Sequence, residues 1–121
     1  MTIALWIING LLALAFLGAG VMKLARSREA LSASGMAWVE DFSEGTVKLF
    51  GALQVLAAIG LILPWSIGVV PVLTPLAAVG LAIMMIGAVG VHIRRREPFV
   101  PPLVLAALSG ASAVIGFLVV L

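Results

Sequence analysis

The chain has 121 residues, of which 64% are apolar and 10% charged, with a net charge of +2 and a mean hydropathy of +1.31. Seven basic and five acidic side chains cannot cover the surface of a water-soluble domain of this length. A free-standing soluble enzyme is therefore excluded, and so is a disordered chain, which would be poor in apolar residues. The absence of cysteine removes disulfides, thiolate metal sites and a cysteine nucleophile, and the small charge excess does not point to nucleic acid.

A helix needs roughly 20 mostly apolar residues to cross a hydrocarbon core about 30 Å thick. Four stretches meet that demand, and nothing alternates as transmembrane β-strands would. The first runs from about Ile3 to Met22, with Asn9 as its one strongly polar side chain. It reads as a retained helix rather than a signal peptide, because Lys23, Arg26 and Arg28 follow it and no charge stands before it in this sequence.

The connection after it has structure of its own. Leu31, Gly35, Trp38 and Phe42 recur at three- and four-residue spacing. That spacing predicts a short amphipathic helix within 28–42 lying along the membrane surface. Glu40, Asp41 and Glu44 sit at its far end.

The second span runs from about Thr46 to Leu63, with Lys48 near its start, Gln54 inside, and Pro64 as its expected stop. Thr74-Pro75 reads as an N-cap and first helical residue of the third span, which runs to His92. The fourth runs from about Val100 to Leu121 after a proline-rich approach. Its small residues four apart (Ala106 and Gly110, Ala107 and Ala111, Ser109 and Ala113, Ser112 and Gly116) let helix backbones approach closely, within the bundle or between copies of the chain. The expected architecture is all-α: a single four-helix transmembrane domain over 1–121 with an interfacial helix between the first two spans.

All seven Lys and Arg fall in or beside the first and third connections, and the second, about 64–73, has none. The positive-inside rule puts the basic side in the cytoplasm and both termini outside. Trp65 in the second connection is then a candidate for the outer aromatic belt.

Polar side chains in hydrocarbon are costly, so each needs a reason. Lys23 either snorkels to the headgroups or turns inward to pair with Glu40 or Asp41. Asn9, Phe16, Gly20 and Lys23 share one helical face, so an inward Asn9 brings Lys23 inward too. Gln54 lies about 12 Å along its helix, too deep to snorkel; it is an inter-helix hydrogen-bonding residue or a ligand-contacting amide. His92 is an interfacial residue or helix C-cap, and histidine is also the first choice for any proton transfer. Lys23, Gln54 and His92, with Glu40 and Asp41 folding over the opening, define one candidate ligand pocket in the cytoplasmic half. Its apolar walls would include Phe16, Phe50, Met84 and Met85. Such a pocket suits a quinone, a sterol-like molecule or a lipid. One histidine supports neither a zinc nor a haem site, and Gly18-Ala19-Gly20 follows no strand, so neither metal nor cofactor is expected.

Several local patterns carry a family resemblance. They are Ala19-Gly20-Val21-Met22-Lys23-Leu24, Trp38 to Phe42, Gly51-Ala52-Leu53-Gln54, and Gly60-Leu61-Ile62-Leu63-Pro64. The second half adds Leu73-Thr74-Pro75-Leu76-Ala77-Ala78 and His92-Ile93-Arg94-Arg95-Arg96-Glu97. Together, over about 3–120, the chain resembles the DoxX-like family of small four-helix membrane proteins. The resemblance implies a bacterial inner-membrane location and marks Lys23, the Gln54 position and His92 as the usual polar positions. Many relatives carry glutamate where this chain has Gln54, so a Lys–Glu pair is missing here.

Three function classes follow. One is a quinone- or lipid-binding accessory subunit working beside a membrane or soluble redox partner. Another is a non-catalytic assembly factor or chaperone for membrane helices. The third is a small isomerase-like enzyme on a lipophilic substrate. An open pocket favours the first or third, and a filled core the second.

Overall fold

A computed structural model describes residues 2–121. Among them there are four long helices and no strand. Helix α1 spans Thr2–Ala25, α3 Glu44–Ile67, α4 Leu73–Arg94 and α5 Val100–Val120. At 1.5 Å per residue each is about 31 Å or longer, enough to cross a bilayer. Between α1 and α3 lie a short helix α2, Arg28–Ala33, and a 3-10 turn, Ala37–Asp41.

The spacing of the inward residues explains the bundle. On α1, Leu5, Asn9, Leu12, Phe16, Gly20 and Lys23 are buried, and on α3 Val47, Gly51, Gln54, Ala58 and Leu61. Steps of three and four keep each set on one helical face. The helices close a ring in which α1 lies beside α3, α3 beside α4, α4 beside α5, and α5 returns to α1. The outer faces are apolar as well: Ile3, Leu14, Leu56, Ile83 and Val114 are all exposed. Such an apolar belt is unstable in water and matched to lipid.

The tightest helix contact is α1 against α3. A Cβ added to Gly20 would lie 2.7 Å from the Gly51 carbonyl oxygen, and one on Gly51 would lie 2.8 Å from the Gly20 oxygen. Only glycine permits that approach. The small residues of α5 serve the bundle interior: Ser109, Ser112, Ala113 and Gly116 are buried. Asn9 joins three helices. Its amide donates to the Leu61 carbonyl on α3 at 2.9 Å, and Ser112 Oγ on α5 donates to its Oδ1.

Two helix boundaries, and the continuity of the surface segment, differ from the sequence expectation. Helix α3 does not stop at Pro64 but continues to Ile67 and ends on Gly68 at φ 70°. Proline costs the hydrogen bond to the Gly60 carbonyl, but ending the helix in hydrocarbon would leave more carbonyls unpaired. Thr74 is not an N-cap. Helix α4 begins at Leu73 after Val72, led in by Leu73 and Thr74 amides bonded to the Val70 and Pro71 carbonyls. The surface segment is two pieces, because Gly35 at φ 106° turns the chain after α2. The Met36 amide donates to the Leu31 carbonyl and the Gly35 amide to that of Ser32, the paired bonds of a Schellman ending. Leu31 and Val39 are then buried with Val47, so Val39, rather than Trp38 or Phe42, is the most enclosed residue of the second piece.

Candidate functional site

The basic residues gather at one end of the bundle, and three of them are consumed by the architecture. Lys48 Nζ donates to the carbonyls of Lys23, Leu24 and Arg26 at 2.8, 2.9 and 2.6 Å. These are the orphan acceptors at the end of α1, where the helix dipole also favours a cation. Arg95 donates to Asp41 at 2.7 Å and Glu97 at 3.1 Å, and its guanidinium lies 3.5 Å from Glu40. Arg94 adds a 3.0 Å pair to Asp41. Arg94 and Arg95, at the C-terminal end of α4, thereby fasten the 3-10 turn across the bundle end. Ser32 Oγ donates to Glu40 at 2.7 Å. That hydroxyl, helped by Arg95, holds the Glu40 carboxyl below its ordinary range.

Beneath this strap lies a cavity of about 550 Å³, within the ~300–1,000 Å³ range of small-molecule sites. Its walls include Phe16, Phe50, Met84 and Met85. Trp38, Phe42 and Phe50 form an aromatic group at its basic end, with ring centroids 5.4 to 6.4 Å apart. Three strongly polar side chains line it: Lys23, Gln54 and His92.

Lys23 is only 4% exposed and turned into the bundle. Its ammonium donates to Gln54 Oε1 at 2.9 Å and sits 5.5 Å from the Trp38 ring centre, within cation–π range. An ammonium has no acceptor, so the Gln54 amide must face it with oxygen, which leaves the Gln54 NH2 as a donor. His92 Nδ1 is bonded to the Ala88 carbonyl at 2.7 Å. A carbonyl only accepts, so Nδ1 carries the proton and Nε2 is the free position. Glu40 and Asp41 do not line the cavity; they belong to the arginine strap. Lys23 therefore has an amide, not a carboxylate, as its partner.

The DoxX-like family matches residues 7–115. The chain belongs to the DoxX-like family. No curated protein and no solved structure matches it. In this DoxX-like protein, sequence reasoning missed the Lys48 cap and the Met36 wall of the cavity. Neither carries a local signal: Lys48 acts on residues 22 to 25 positions away, and Met36 looks like an ordinary apolar loop residue.

Proposed function

We propose that this DoxX-like membrane protein binds a lipophilic small molecule with one polar head inside its cavity, and does so as an accessory membrane subunit. The observation that carries the reading is Lys23: a buried ammonium, with Gln54 and His92, on an otherwise apolar wall. Packing alone does not favour a charge there, because a buried cation requires compensation. The cavity also favours a ligand site over a pure assembly factor, whose core would be filled. The basic end faces the cytoplasm of a bacterial inner membrane, by the positive-inside rule.

Trp38 reports on this reading directly. In a Trp6→Phe/Trp65→Phe background, a brominated amphiphile should quench Trp38 saturably. A protein retaining only Trp6, at the far end where it stacks on Trp65 at 4.2 Å, should show linear, lipid-phase quenching. Linear quenching of Trp38 would remove the support for a cavity ligand.

A further inference from the structure

Resting on the ligand-binding reading, the geometry points to a head group of one kind: we infer that the cavity takes a monoanionic carboxylate on a long apolar tail, a fatty-acid-like amphiphile.

The two neighbouring lysines set up the argument. Lys48 places its ammonium among three carbonyls, which satisfies its three N–H donors. Lys23, more deeply buried, has one amide oxygen and an aromatic face. Among the described residues no carboxylate lines the cavity. Glu40, Asp41 and Glu97 are held by Arg94 and Arg95. Two N–H donors of Lys23 and the NH2 of Gln54 thus have no acceptor among the described residues. A carboxylate offers two oxygens and one negative charge, which matches a donor pair carrying one positive charge. A neutral alcohol or quinone would meet the donors but leave the charge uncompensated.

Shape supports the same class. Lys23 and His92 mark the polar end. Ala15, eight residues before Lys23 on α1, lies about 12 Å away along the axis, and Ile83 is correspondingly far from His92 on α4. Between these limits the lining is apolar. Ile83 and Gly87 line the cavity and are also exposed on the flank of the bundle. The mouth thus opens sideways at hydrocarbon depth, where a tail continues into lipid.

The test is photolabelling of the full chain in phosphatidylcholine nanodiscs with palmitate bearing a mid-chain diazirine, at a pH where the carboxyl is ionised. Labelling should map to α4 around Met84. Palmitate should compete at ten-fold or more lower concentration than 1-hexadecanol or a neutral alkyl quinone. Lys23→Met should erase that difference. Gln54→Glu, which keeps Lys23 and supplies an internal carboxylate, should erase it too and stands in should Lys23→Met fail to fold. Equal competition by palmitate and hexadecanol in the unmodified protein overturns the carboxylate assignment and leaves the ligand site standing. Retention of the preference in Lys23→Met or Gln54→Glu overturns it as well. No competable label in the cavity overturns both readings.

Discussion

The ammonium of Lys23 on α1 reaches Oε1 of Gln54 on α3 at 2.9 Å, and the pair exists because Gly20 and Gly51 bring the two backbones together. A Cβ on Gly51 would lie 2.8 Å from Lys23 Cβ, so the lysine stem lies against α3 at Gly51. Gln54, three residues on, shares that face. Gln54→Leu therefore strands a buried cation. The expected loss is about 1–3 kcal/mol of stability, measured by reversible unfolding in mixed micelles. A neutral or stabilising outcome would mean that Lys23 has another partner.

The glycine contact gives a sharper contrast. Gly20→Ala forces its new Cβ against the Gly51 carbonyl and Val55, and overpacking of this kind costs roughly 1–3 kcal/mol. Gly10 and Gly18 have nothing within 4 Å of an added Cβ. Gly10→Ala and Gly18→Ala should be neutral or gain up to about 1 kcal/mol from helix propensity. Equal thermal shifts for all three variants would contradict the close α1–α3 approach.

Much of this was legible in the sequence, and the failures have physical causes. The shared face of Asn9 and Lys23 follows from helical period alone, and both are buried. The depth of Gln54 followed from counting residues along its helix. The partner of Lys23 did not. Glu40 and Asp41 are near in sequence and opposite in charge, but Arg94 and Arg95, more than fifty positions later, compete for them. Only the closed ring of helices decides that competition. Helix α3 runs past Pro64 to Ile67 because proline is a strong stop in water and a tolerated defect in hydrocarbon.

The strap predicts an acid dependence with a definite sign. The Glu40 carboxyl lies below its ordinary value of 4.5, so its contribution to the strap is present above that value. It is lost as the pH falls through the depressed one. Trp38 fluorescence, in a background with Trp6 and Trp65 replaced by Phe and His92 by Gln, should stay constant from neutrality down to about pH 5. It should change only under more acid conditions. A transition between pH 7 and 5 would show that another group governs the strap.

Orientation is testable because the chain has no cysteine. Val69, exposed between α3 and α4, and Glu29, exposed on α2, lie at opposite ends of the bundle. Val69→Cys should react with an impermeant thiol reagent from outside intact cells, and Glu29→Cys only after permeabilisation. The reverse pattern would invert the topology and place the cavity's polar end outside.

A small molecule held in the cavity should be displaced by a bulky side chain on the cavity wall. Ala88 lines the cavity, and its carbonyl, which bonds His92, is unaffected by a change of side chain. Native mass spectrometry of protein taken directly from membranes into nanodiscs should show a bound small-molecule mass on the unmodified chain. That mass should be absent from Ala88→Phe at unchanged helical content. A bare unmodified protein would mean that the cavity is empty in the membrane, and a bound mass that persists in Ala88→Phe would place the bound molecule elsewhere; either result rules out a cavity ligand.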